Sequence, residues 1–222
     1  MKKSELKQLI KEVLNESKQN EIFAREKIQQ YIKNGSRGSL NLSYTPITSL
    51  PDNLKQVGGS LYLDHTPITS LPDNLKQVGG YLGLLGTKIT TLPDNLKVGG
   101  YLNLGNTPIT KLPDNLTVGG YLNLSNTKIT TLPDNLTVGG DLWLSHTLIT
   151  SLPDNLKVGG SLNLSHTPIT TLPDNLTVNG DLWLNSTKIT TIPPSAKISG
   201  KIYGLKNERI MKKSELKQIV KN

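Results

Sequence analysis

The chain has 222 residues and no cysteine, which excludes a disulfide framework, a cysteine-ligated zinc site and a thiol nucleophile. Twenty-five Lys and Arg against 17 Asp and Glu give a net charge of +8, which taken alone invites a nucleic-acid or anionic-surface partner. Leucine occurs 37 times and alanine twice, so neither a helical bundle nor a helical solenoid is expected.

Residues 1–38 carry two amphipathic helical patterns. The first is Leu6, Leu9, Ile10, Val13 and Leu14; the second is Ile22, Phe23, Ile28, Tyr31 and Ile32, with Asn34-Gly35 as the stop. Together they predict a helical N-terminal cap, with Ser4 as N-cap and Glu5 complementing the helix dipole. Glu5, Lys7 and Lys11 break up any signal-peptide core, and no apolar run nears the length of a membrane span. The expectation is a soluble protein, intracellular or virion-associated, with no membrane partner.

From residue 39 the chain repeats itself. Leu-Pro-Asp-Asn-Leu begins at Leu50, Leu71, Leu92, Leu112, Leu132, Leu152 and Leu172, a period of 20–21 residues. Eight copies of a longer frame open at Ser39, Ser60, Tyr81, Tyr101, Tyr121, Asp141, Ser161 and Asp181, so residues 39–200 form one array. Within a copy, Leu122 and Leu124 alternate with Tyr121, Asn123 and Ser125, the period-2 signature of a short strand with one buried face. Pro133 turns the residue before it away from helical dihedrals, so the return side should be extended or turn-like. The Gly119-Gly120 pair, present at six junctions, supplies a permissive backbone for the corner. One coil cannot bury enough to offset its ordering entropy, so the copies must stack into a continuous parallel sheet.

The stretch Leu122-x-Leu124-x-x-Thr127-x-Ile129 resembles the leucine-rich repeat, and the following Leu132-Pro133 resembles its bacterial LPX subclass of short repeats. The resemblance implies a leucine-rich repeat solenoid with a parallel sheet of eight or nine short strands and a helical N-terminal cap. Threonine replaces the usual asparagine in every copy, from Thr45 to Thr187, and its hydroxyl can hydrogen-bond backbone inside the coil. In LPX effectors that are ubiquitin ligases a separate C-terminal domain carries a catalytic cysteine, so the absence of cysteine speaks against ligase activity here.

Residues 201–222 read as a last imperfect strand, Lys201-Ile202-Tyr203-Gly204-Leu205, followed by a short helix. Residues 211–218 repeat residues 1–8 letter for letter. Two readings compete: a duplicated capping helix, with Ser214 as N-cap, or paired docking helices for a partner or for each other in a homo-oligomer. The Lys-Ser-Glu-Leu-Lys leader resembles those of tailed-phage proteins, which implies a phage-encoded, assembly-type alternative function.

No nucleophile, base and orienter converge, so an enzyme is not expected, nor a cofactor. His146 and His166 share one repeat position and could approach each other, but lack further ligands. Seven aspartates from Asp52 to Asp174 form a ladder; turn-closing side-chain bonds, relieved by Lys55, Lys76, Lys97 and Lys157, are favoured over calcium. Thr48 to Thr190 form another ladder, which raises ice binding, although Lys111 interrupts the neighbouring rank. Inward positions barely vary between copies, whereas outward strand positions do. The candidate ligand-binding residues are therefore Tyr62, Tyr81, Tyr101, Tyr121, Asp141, Trp143, Asp181 and Trp183, suited to a protein or a glycan. For Tyr81, Tyr101 and Tyr121 mutual stacking is the competing explanation. Charge resolves by region: residues 1–38 carry nine basic and five acidic groups, 39–196 eight and ten, 197–222 eight and two. The array is mildly acidic and its ends basic, so no specific nucleic-acid surface is expected on the sheet.

Overall fold

The computed structural model describes residues 3–205. They form one N-terminal helix, α1 (Lys3–Lys33), followed by a stack of short coils that contribute to two parallel sheets. The nine-stranded sheet runs in chain order from Leu40–Asn41 to Ile202–Tyr203, and each strand pairs in register with its neighbours one repeat away, as Leu122 does with Leu102 and Leu142. The sequence pattern anticipates a single sheet. The return side is in fact a second, eight-stranded sheet, from Gln56–Val57 to Lys197–Ile198, because the extended pair before each glycine stacks at the same spacing and pairs too.

Between the sheets lies one apolar column. Leu122, Leu124, Ile129, Leu132, Leu136 and Val138 are the contribution of a central coil, and their counterparts are buried from the first coil to the seventh; in the eighth Leu182, Leu184 and Ile189 are buried, and Ile192, Ala196 and Ile198 only partly. Beside them run the threonines: Thr45, Thr66, Thr87, Thr107, Thr127, Thr147, Thr167 and Thr187 each donate Oγ1–H to the carbonyl three residues earlier, at 2.6–2.8 Å. The bond stays within a coil and holds the corner leaving the strand. At that corner the preceding residue is left-handed, with φ near +60° at His65, Asn106, Asn126, His146, His166 and Ser186. Asparagine tolerates this conformation best among residues with a side chain, and a ladder bond to the next coil helps histidine hold it.

The paired glycines serve a purpose other than the permissive corner. None has positive φ. A Cβ built on Gly119 would run into the carbonyl oxygen of Gly99, and the same holds coil after coil, so their role is close approach of stacked main chains. Asn179 and Ser199 occupy this column in the last two coils, and their N–H groups keep the ladder bonds to Val158 O and Val178 O.

α1 is a single helix, not two. Nothing between Leu14 and Ile22 breaks it: Asn15 to Glu21 contains neither glycine nor proline. Ser4 lies within it and is no cap. The expected stop is present, with Gly35 at φ +79° and Ser36 N–H bonded to Tyr31 O, a closure of the Schellman type. Only the last third of α1 covers the first coil, through buried Ala24, Ile28 and Tyr31. Tyr31 Oη lies 2.7 and 3.0 Å from the carbonyls of Ser36 and Gly38 and accepts from Gly58 N–H, while Lys27 Nζ donates to Asn41 O at 2.7 Å. The short C-terminal helix and the repeat at 211–218 lie outside the described residues.

Candidate functional site

Because strand side chains alternate, one face of the nine-stranded sheet is committed to the core and the other is free to vary. Its outward residues sit in two columns. The first, just before the strand, contains Ser39, Ser60, Tyr81, Tyr101, Tyr121, Asp141, Ser161 and Asp181; the second, within it, contains Tyr62, Gly83, Asn103, Asn123, Trp143, Asn163, Trp183 and Tyr203.

The first column has a structural duty that sequence reasoning did not find. Ser39 Oγ accepts the N–H of Ser60, Ser60 Oγ that of Tyr81, Asp141 Oδ1 that of Ser161, Ser161 Oγ that of Asp181, and Asp181 Oδ1 that of Lys201, at 2.7–3.0 Å. Each short acceptor fastens the entry of the next strand. Asp141 and Asp181 thus commit one carboxylate oxygen to the scaffold, and the other remains for solvent or a ligand. The signal was present in the residue types, since Ser and Asp are the short acceptors that reach a neighbouring amide.

Tyr81, Tyr101 and Tyr121 do not form the continuous stack that their spacing suggests. Tyr81 leans the other way, against Tyr62 at 5.3 Å, filling the space above Gly83, where a Cβ would strike it. Its hydroxyl donates to Asp64 Oδ1 at 3.3 Å and lies 3.4 Å from Asn103 Nδ2. Tyr101, Tyr121 and Trp143 make a second cluster, edge to face at 6.0 and 5.1 Å. Trp183 stacks flat on Tyr203 at 5.7 Å, a pairing that takes one ring face out of reach. Tyr101 is 56 % exposed and Trp143 39 %, the most open of the candidate residues. An amide ladder separates the groups: Asn123 Nδ2 donates to Asn103 Oδ1 at 3.0 Å.

Burial pushes the Tyr81 and Tyr121 phenols above the ordinary tyrosine range, and at Tyr121 the nearby Asp141 carboxylate adds to the effect. Both rings therefore present neutral hydroxyls.

At the sheet's exit edge Tyr44 stacks on His65 at 4.9 Å, and Tyr44 is 77 % exposed. This pair was missed, although both residues hold the same repeat position. His146 and His166 stack face to face at 4.4 Å and 7°. A metal lies in the plane of each imidazole it binds, at about 2.0–2.1 Å, so rings stacked in this way cannot share one ion. Among the described residues no three metal-ligating side chains gather. The aspartate ladder also differs from expectation. Its turns are closed by main chain, as by Leu54 N–H to Pro51 O, and among the described residues the seven side chains make no hydrogen bond or ion pair. Lys76 reaches the main-chain carbonyls of Asp73 and Asp94 instead of the carboxylates. Thr48 to Thr190 are exposed along the opposite corner.

The architecture is that of a short-repeat leucine-rich-repeat solenoid. A Shigella effector LRR domain superposes with a TM-score of 0.54 at 20 % identity, covering 80 % of this chain and 87 % of that one. YopM of Yersinia pestis gives 0.46 at 18 %, covering 79 % and 64 %, and a Leptospira interrogans LRR protein 0.41 at 23 %, covering 74 % and 61 %. No protein-family model and no curated protein matches the chain. At 20 % identity the likeness to the Shigella domain establishes the fold alone, and what the fold does here rests on the surface just described.

Proposed function

We propose that the protein is a non-catalytic scaffold that binds another protein through the outward face of its nine-stranded sheet, centred on Tyr101, Tyr121 and Trp143. The observation that carries this reading is the contiguous aromatic cluster, exposed at Tyr101 and Trp143, on a sheet face whose residues differ from coil to coil. Large rings with few rotors lose little entropy on binding, and such rings concentrate at interface centres. Tyr62, Tyr81 and Trp183 extend the patch, and Asp141 and Asp181 form a polar rim.

A protein is favoured over a glycan by ring geometry. Sugars bind best to open ring faces. Here Trp183 gives one face to Tyr203, and Tyr121 packs between Tyr101 and Trp143. Edges and hydroxyls remain, which suit peptide groups and side chains.

The test is affinity capture from host lysate with the intact protein and with a Tyr101→Ser, Trp143→Ala variant whose far-UV circular dichroism is unchanged. The reading expects a specific partner to be lost with the variant. Equal capture by both overturns it.

A further inference from the structure

The outer two-thirds of α1 is bare. At 100° per residue Leu6, Ile10 and Val13 share the face that farther along buries Ala24, Ile28 and Tyr31. The first coil covers only that last third, and Leu6, Leu9, Ile10, Val13 and Leu14 remain 43–66 % exposed. Below this overhang an open groove separates Val13, Glu16 and Asn20 from Tyr44, His65 and Pro67 of the first two coils. The charges beside the stripe are sorted: Lys3, Lys7 and Lys11 lie on one flank, Glu12 and Glu16 on the other. Residues 3–11 therefore do not cap the array, which removes the simplest reason for their repetition farther along the chain.

Several occupants fail on geometry or charge. A flat membrane cannot reach this face, because the solenoid projects on the same side for eight strand spacings, about 38 Å. A second α1 laid antiparallel brings lysine flank to lysine flank, and one laid parallel puts its solenoid where the first already stands. What fits is a slender segment, matched in length, approaching parallel and carrying its lysines on the flank that meets Glu12 and Glu16.

Residues 211–221 have that character. They repeat 1–11 at nine of eleven positions, with Ile219 and Val220 in place of Leu9 and Ile10, and bear four lysines and one glutamate. We propose that the C-terminal segment of one copy docks alongside the α1 overhang of a second copy, parallel to it, joining chains head to tail. If the docked segment takes the winding of its twin at 3–11, Leu216, Ile219 and Val220 would face Leu6, Leu9 and Ile10. Lys217 and Lys221 then meet the Glu12 and Glu16 flank, and Glu215 meets Lys3 and Lys7. The same chain's own segment is out of reach: residues 206–210 span at most about 18 Å, against roughly 35 Å from the last coil to the groove. The contact is heterologous, so it extends from copy to copy and leaves the aromatic face of the sheet free.

The experiment is sedimentation equilibrium of the full chain over a hundredfold range of concentration, in low and high salt. The proposal expects a weight-average mass rising past twice that of one chain, less so in high salt. Ile10→Glu with Val13→Glu, and separately Ile219→Glu with Val220→Glu, should each give monomers. An equimolar mixture of the two variants should form a one-to-one dimer, because each retains the half the other has lost. Unchanged circular dichroism shows that both are folded. A monomeric wild type overturns the proposal, as does a dimer that survives Ile219→Glu with Val220→Glu, which would indicate pairing of one α1 with another.

Discussion

Thr127 and Thr130 are the same residue type three positions apart in one coil, one inside the corner and one outside it. Thr127 is 3 % exposed, and its Oγ1 donates to Leu124 O at 2.7 Å. Thr130 is exposed and makes no side-chain hydrogen bond among the described residues. Valine has the same shape and removes only the hydroxyl. At 127 it takes the side-chain donor from a buried carbonyl, a loss of about 1–3 kcal/mol, while the added methyl returns about 0.8 kcal/mol. The net is about 0.2–2 kcal/mol, or a fall in melting temperature of up to roughly 8 °C for a chain of this size. At 130 the same change should stay within about 0.5 kcal/mol. Urea unfolding followed by circular dichroism measures both. If Thr127→Val is as stable as wild type, or if the two variants fall equally, the threonines are not the inward ladder that holds each corner.

Three further outcomes follow from the same physics. The raised phenols of Tyr31, Tyr81 and Tyr121 favour the protonated native state, so their contribution is complete below the ordinary tyrosine range, about pH 10, and is lost as pH rises above it. Phenolate absorbance should show these three ionising together with unfolding, and Tyr121→Phe should flatten the alkaline loss of stability. Tyr31→Phe removes the hydroxyl that joins α1 to Ser36, Gly38 and Gly58. It should cost about 1–2 kcal/mol and speed hydrogen exchange at Leu40 and Leu61 while leaving Leu142 unchanged. Gly119→Ala places a Cβ against Gly99 O and should destabilise by more than the same substitution at Gly105, whose Cβ would meet only side-chain atoms, none nearer than 3.0 Å.

The solenoid was legible because eight copies separate scaffold from surface without any other sequence: the buried leucines recur and the outward residues change. What the repeat hides is interaction between coils. The glycine pair looks like a turn signal in one copy, and only stacking reveals that Gly119 faces Gly99 across a main-chain contact. Asp141 and Asp181 look like ligand groups until the next strand's amide is seen bonded to them. Tyr81 and Tyr101 share a repeat position, yet Gly83 opens a space that draws Tyr81 toward Tyr62. In α1, polar residues at Ser17 and Asn20 divide the apolar pattern as a loop would; they mark instead where the helix passes the edge of the coil.

Trp143 and Trp183 are the chain's two tryptophans, and both lie on the face assigned to binding. In a Trp183→Phe variant the fluorescence reports Trp143 alone, at the centre of the exposed cluster. Titration with a captured protein partner should shift that emission to the blue and protect it from acrylamide quenching. Saturable binding that leaves the emission and the quenching of Trp143 unchanged would contradict the account, because the partner would then be held elsewhere on the solenoid.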